Sequence, residues 1–228
     1  MATPYGQLVA SRGLADDRRT ILAAVPAGGE VLDVGCATGE LAAALGAAGC
    51  RVTGVESDPD AAAAAREHAN VVLEGDIEHE EVWDELWDVA PFDTVVCADA
   101  LARLRDPWTG LRRLTQLLRP GGLAVVSVPN VAHWAARGAL LAGRFDYADG
   151  PVPNRAHLRF LTRRTAHDLV RGAGLHLVDE RPMGAPLPLQ SRVPALQRFA
   201  AGAVARRPEL FAVRFVLVGR RPEHAAAA

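Results

Sequence analysis

From about Glu30 onward, short apolar runs alternate with longer segments of helical periodicity. Seven runs read as strands: EVLDVG (30–35), RVTGVES (51–57), VVLEGD (71–76), FDTVVCAD (92–99), GLAVVSVP (122–129), LHLVDERP (175–182) and FAVRFVLVGR (211–220). The earlier ones are almost continuously apolar, as parallel strands covered on both faces must be. Helix start signals fall between them. Asp58-Pro59 and Asp106-Pro107 each place a capping carboxylate before a first-turn proline, and Thr162 caps RRTAHDLV. RPGG (119–122) reads as a sharp stop to the preceding helix. The alternation predicts a doubly wound α/β sheet in one domain spanning 1–228.

Two stretches break the alternation. Residues 1–28 precede the first strand and read as a helical segment, amphipathic over LVASRGLADDRRTILAAV. The connection from Pro129 to Gly174 is far longer than an ordinary crossover, so it must carry structure of its own. Insertions at the carboxyl ends of strands tend to lie over the ligand, and 130–165 is expected to be an active-site cover. Farther on, PALQRFAAGAVARR fits an amphipathic helix packed on the sheet or on a second copy, which keeps a homodimer open.

Composition narrows the function classes. Hydrophobic residues make up 50% and charged residues 23% of the 228, as in an ordinary globular protein. The net charge of -2 offers no basic excess for nucleic acid or anionic lipid. Cys36, Cys50 and Cys97 lack metal-ligand spacing and read as buried thiols; the histidines lack it too, so no metal is expected. The N-terminus has no signal-peptide pattern, and no apolar run approaches the ~20 residues that span a bilayer. A cytoplasmic protein is expected.

VLDVGCATGE (31–40) is where the chain becomes chemically specific. It reads as a strand, a glycine loop and a helix start, the arrangement that cradles nucleotides. Gly35 and Gly39 lie in D-x-G-x-x-x-G, with Ala37 where a dinucleotide fingerprint has its second glycine, and Glu40 follows where a pyrophosphate wants no negative charge. Both features disfavour a nicotinamide-dependent oxidoreductase. Glu56 ends the second strand and can accept hydrogen bonds from ribose hydroxyls. Asp76 ends the third, suited to an adenine amine with Ile77 against the ring, and Ala98-Asp99 end the fourth.

VLDVGCATG, VTGVESD, EGDIE, FDTVVCADALARLRDP and LLRPGGLAVVSVPN, in this order and spacing, resemble class I S-adenosylmethionine-dependent methyltransferases over roughly residues 30–182. The resemblance implies a seven-stranded sheet of order 3-2-1-4-5-7-6 with the last strand antiparallel. It implies S-adenosylmethionine as cofactor and S-adenosylhomocysteine as product. Asp33, Gly35 and Gly39 would line the methionine end, with Cys36 in the same loop. Glu56 would bind the ribose with Ser57 and Asp58 nearby, Asp76 and Ile77 the adenine, and Ala98 and Asp99 would pass beneath the sulfonium. One departure stands out: many members carry Glu-His after the fourth strand, where this chain has Leu101-Ala102-Arg103-Leu104.

The acceptor side falls to the long connection. Asn130 and His133 follow the fifth strand directly; on a helix beginning near Val131, Val131, Trp134, Gly138 and Leu141 would share an inward face. His133 and His157 are the candidate general bases; Asn130, Trp134, Arg144 and Tyr147 are the candidate acceptor-binding residues. P-N-x-x-H-W, G-R-F and H-L-R-F-x-T resemble a small-molecule subgroup of these methyltransferases, associated with saccharide and specialised-metabolite pathways, antibiotic biosynthesis among them. The expected reaction is methyl transfer to oxygen or nitrogen of a small molecule. The missing Glu-His leaves an alternative, a cofactor-binding sensor or assembly protein without transferase activity.

Overall fold

The computed structural model describes residues 14–147, 154–185 and 201–223. Residues 1–13 of segment 1–28, the middle of the expected cover and the first half of PALQRFAAGAVARR (194–200) therefore lie outside the described residues. Helix α1 (Asp16–Leu22) leads into β1 (Glu30–Val34), α2 (Glu40–Ala47), β2 (Arg51–Glu56), α3 (Pro59–Ala65), β3 (Val71–Glu74), α4 (Glu81–Val89) and β4 (Phe92–Ala98). A 3-10 turn (Ala100–Arg103) follows, then α5 (Pro107–Gln116), β5 (Leu118–Pro129), α6 (Trp134–Leu141), α7 (Arg163–Gly172), β6 (His176–Gly184), α8 (Pro208–Phe211) and β7 (Ala212–Arg220).

The strands form one sheet of order β3-β2-β1-β4-β5-β7-β6. β7 runs antiparallel to both β5 and β6, and the pairs joining β3, β2, β1, β4 and β5 are parallel. This is the order and the antiparallel last strand that the resemblance implies. Successive strand residues point to opposite faces, and both faces are apolar. On one, Val31, Val52, Val96, Val125 and Val216 pack with Ile21 of α1 and Leu41 and Leu45 of α2. On the other, Leu32, Val95, Val126 and Leu217 pack with Trp83 and Leu86 of α4, Leu111 and Leu114 of α5, and Leu169 of α7.

The helix starts follow from the capping chemistry. Asp58 Oδ1 accepts from Asp60 N (2.9 Å) and Ala61 N (3.1 Å), and Asp106 Oδ1 accepts from Trp108 N and Thr109 N (3.1 Å each). Thr162 and Thr165 form a reciprocal capping box at α7. RPGG departs from expectation: α5 ends at Gln116, and β5 already begins at Leu118. Gly121 is left-handed (φ +79), and a Cβ on Gly122 would lie 2.9 Å from Arg119 O. The glycines thus let the strand bend past β4, whose register shifts between Phe92 and Thr94.

The expected helix face after β5 is also corrected. α6 starts at Trp134 rather than near Val131, with His133 as its N-cap, and its one buried residue is Ala136. Trp134 is 53% and Leu141 90% exposed, so the face read as inward points outward. Apolar spacing over eight residues did not separate the two faces of so short a helix.

Asn130 is fully buried and does structural work where β5 ends. Its Nδ2 donates to Glu209 O (3.1 Å) and Ala212 O (2.7 Å), and its Oδ1 accepts from Ala132 N (3.0 Å). The amide thereby ties β5 to the start of β7, with both its N–H groups spent and its oxygen buried. Asn130→Ala strands these buried groups and should destabilise the fold by about 3 kcal/mol. Denaturant unfolding should show a lower midpoint with unchanged slope; an unaltered midpoint contradicts this role.

Candidate active site

A cavity of about 460 Å³ opens at the carboxyl ends of β1, β2, β3 and β4, the usual ligand position in such sheets. Its wall includes Gly35, Glu56, Ser57, Asp76, Ile77, Ala98 and Asp99. These seven, drawn from four separate strand ends, are brought together as expected.

The glycine loop is built on left-handed backbone: Gly35 (φ 70), Ala37 (φ 49) and Gly39 (φ 84). At Gly39 a Cβ would come within 3.0 Å of Ala65 Cα and His68 Cβ, so α3 can approach closely only because the residue is glycine. Ala37 sits in the same region despite its methyl, held there because its N–H donates to Glu56 Oε2 (2.9 Å). Glu56 Oε1 accepts from Ser57 N (2.8 Å) and Asp58 N (3.0 Å). One carboxylate therefore shapes the loops after both β1 and β2. Asp76 Oδ1 accepts from Glu78 N (2.9 Å), closing the turn after β3.

Other expected cofactor residues act from beneath. Cys36 is buried, with its Sγ only 2.6 Å from where a Cβ on Gly54 would stand, and burial pushes its thiol up to about 12. It fills space under the loop and is inert as a nucleophile. Asp58 is spent on capping α3. Asp33 is 1% exposed at the end of β1. Burial pushes its carboxyl up to about 7, with Glu56 adding to the rise and Arg18 opposing it.

The cavity also holds residues that sequence reasoning missed: Asp17 and Arg18 from α1, Glu78, Arg103 and Arg214. Arg103 occupies the stretch where the resemblance called for Glu-His. Arg18 pairs with Glu40 at 2.8 Å, and Arg214 with Asp99 at 2.6 Å. Asp99 is left-handed (φ 61), and its other oxygen accepts from Ser127 Oγ at 2.7 Å. No local motif marks Asp17, Arg18 or Arg214, which arrive from elements remote in sequence.

The expected acceptor side separates into an inner and an outer part. His157 is 7% exposed, beside the strap whose Leu158 and Arg159 N–H groups donate to Ala102 O (2.8 and 3.0 Å). Burial holds its pKa below the usual range; the charges of Arg103 and Arg214 act in the same direction and Asp99 opposes them. His133 also titrates low through burial, but its Nδ1 accepts from Ala135 N at 3.3 Å as the α6 cap. Arg144 pairs with Asp146 at 2.6 Å, and Tyr147, 49% exposed, packs edge-on to Phe145 with ring centroids 5.3 Å apart. None of Asn130, His133, Trp134, Arg144, Tyr147 and His157 lines the cavity; His157 lies nearest to it, close enough to feel the charges of Asp99, Arg103 and Arg214, three residues that do.

A test of fit for S-adenosylmethionine is provided by buried polar atoms without partners. Four such atoms occur among the described residues, and one of them, on His167, lies away from the cavity. The other three, Asp33 Oδ2, Thr38 Oγ1 and Glu40 Oε1, belong to the end of β1, the glycine loop and the first residue of α2. They suit the ammonium of the methionine end, Arg18 suits its carboxylate, and Glu56 and Asp76 each keep lone pairs for ribose and adenine. No cluster able to hold a metal ion occurs among the described residues.

Asp33 yields a ligand-free prediction. The folded carboxyl keeps its proton up to about pH 7, whereas the unfolded one loses it near 3.8, so the native state binds the extra proton between those values. Its stability contribution is therefore intact below pH 4 and lost as pH rises through 7. The advantage of Asp33→Asn over wild type should grow across that window, by on the order of 4 kcal/mol. Urea melts from pH 4 to 8 check this; a constant difference contradicts it.

Comparison with known proteins agrees with the geometry. Residues 8–180 match the methyltransferase domain family. The ubiquinone biosynthesis O-methyltransferase of Xylella fastidiosa (strain 9a5c) is 31% identical over 157 residues, 67% of this chain and 63% of that protein. The chain thus covers less than two-thirds of that relative's length. A Thermotoga maritima S-adenosylmethionine-dependent methyltransferase, described as a possible histamine N-methyltransferase, shares the fold with a TM-score of 0.64 at 18% identity, covering 95% of this chain and 94% of that one. So does the 1,6-didemethyltoxoflavin-N1-methyltransferase of Burkholderia thailandensis, solved with S-adenosylhomocysteine (TM-score 0.59, 22% identity, 96% and 83% covered). With strand order, strand-end carboxylates and family match in agreement, the chain belongs to the methyltransferase domain family, in its class I, S-adenosylmethionine-dependent form.

Proposed function

We propose that this protein transfers the methyl group of S-adenosylmethionine to an oxygen of a small-molecule acceptor. The observation that carries the proposal is the cavity itself, where Gly35, Glu56, Asp76 and Asp99 converge from four strand ends. The curated relative named above favours oxygen as the accepting atom. Its name places it in ubiquinone biosynthesis, whereas the P-N-x-x-H-W pattern is the support for a saccharide or specialised-metabolite pathway. A net charge of -2 and the absence, among the described residues, of a helix able to cross a membrane fit a small acceptor and a cytoplasmic setting.

When bound, the cofactor supplies an electrophilic methyl on a sulfonium, and the protein must align the acceptor oxygen and take its proton. Asp99 is poorly placed as the base, because both its oxygens are engaged, by Ser127 and by Arg214. His133 is also poorly placed: with Nδ1 accepting from the helix, a neutral ring carries its hydrogen on Nε2 and has no acceptor left. His157 remains. Burial, with the charges of Arg103 and Arg214, keeps its imidazole neutral and able to accept a proton, and Asp99 is the neighbouring charge that favours the protonated ring. The sensor alternative gains nothing from the geometry, since the missing Glu-His leaves His157 in place.

Methyl transfer followed by mass spectrometry over a panel of hydroxylated small molecules tests the reaction. On any accepted substrate, His157→Ala should lower kcat about 10²–10⁴-fold with cofactor affinity intact, and His133→Ala should change it only a few-fold. The reverse ranking would reassign the base. Glu56→Ala removes the remaining charge-assisted acceptor for the ribose and the anchor of Ala37, so the Kd for S-adenosylmethionine should rise about 100-fold. Unchanged affinity overturns that contact.

A further inference from the structure

Arg214 lies on β7, beyond the residues 8–180 that match the family, and no sequence motif marks it. Yet it lines the cavity, and its side chain is only 16% exposed. Its guanidinium reaches two carboxylates from two different elements: Nη1 pairs with Asp17 of α1, and Nη2 pairs with Asp99 at 2.6 Å. Asp99 is fixed in turn by Ser127 Oγ at 2.7 Å, on β5. A single cation thus connects the N-terminal helix to the ends of β4, β5 and β7.

Helix α1 depends on such ties. It has seven residues and one buried side chain, Ile21, so neither its length nor its apolar contact holds it firmly. Its neighbouring residues Asp17 and Arg18 both face the cavity and make ion pairs in different directions, to Arg214 on β7 and to Glu40 on α2. These pairs are largely withdrawn from solvent, so removing one partner strands the other as a poorly hydrated charge. The groups act as a unit, and the guanidinium's separate nitrogens are what allow one side chain to hold two carboxylates.

We infer that Arg214 is a positioning residue for the reaction: it latches helix α1 over the cofactor and, with the same guanidinium, fixes Asp99 at the cavity floor. This rests on the cofactor reading above. On this inference the Asp17–Arg214 pair slows release of the cofactor past α1. Arg18, Glu78, Arg103 and His157 are further titratable groups around this cluster, and the described ion pairs join none of them to both Asp17 and Asp99.

The test measures binding and dissociation of S-adenosylmethionine and S-adenosylhomocysteine with the full chain, for wild type, Asp17→Asn, Arg214→Gln, Arg214→Lys, Asp99→Asn and the double variant Asp17→Asn/Arg214→Gln. Thermal melts establish that each variant is folded. Asp17→Asn and Arg214→Gln should each speed cofactor dissociation about 10-fold, Asp99→Asn similarly, and Arg214→Lys should recover part of the loss. The double variant should also lie near 10-fold, well short of the 100-fold of two independent contacts. Unchanged dissociation in a folded Asp17→Asn protein, or a fully additive double variant, overturns the latch while leaving the cofactor reading intact. Failure of the wild type to bind either molecule overturns the cofactor reading itself.

Discussion

The Glu56 carboxylate, at the end of β2, is the contact on which the rest of the site depends. Its two oxygens accept from Ala37 N, Ser57 N and Asp58 N, so it closes the loops after β1 and β2 with a single group. Without that acceptor, Ala37 has little reason to remain left-handed, and the path of the glycine loop loses its definition. With it, the loop keeps Gly35 against the cavity and lets Gly39 seat α3 close by. The residue proposed to hold the ribose is thus also the fastener of the cavity's other wall.

Charge is distributed around this fastener with a consistent logic. Carboxylates stand at the strand ends, at the start of α2 and in α1, and arginines from elsewhere offset them: Arg18 beside Glu40, and Arg214 between Asp17 and Asp99. Asp33 lies beneath with an oxygen that has no partner, in surroundings that raise its pKa to about 7. Such a group costs stability in the folded protein and is compensated when a cation arrives. Stability is thus given up at the position proposed to face the methionine ammonium.

Much of this was legible in the chain because it is local. Asp58, Asp106 and Thr162 cap helices through neighbours two or three residues on, and Glu56, Asp76 and Asp99 each stand at the end of an apolar run. Strand order came from resemblance rather than periodicity, since no alternation of apolar residues states which strands are neighbours. What escaped notice is non-local. Asp17 and Arg214 are far apart in sequence and meet only once α1 and β7 are both in place. Trp134 and Leu141 misled for another reason: an apolar residue on a short surface helix has the same spacing as one facing a core. Asn130, chosen for its place after β5, is used to hold the strands together.

The most direct measurement is isothermal titration of the purified protein with S-adenosylmethionine, S-adenosylhomocysteine and NADH. If the carboxylates take the proposed roles toward ribose, adenine and methionine ammonium, the protein should bind one molecule of either sulfur compound per chain, and NADH should neither bind nor displace them. Binding of NADH in place of the sulfur compounds would contradict the assignment, because Glu40 and the strand-end carboxylates would then be facing a pyrophosphate.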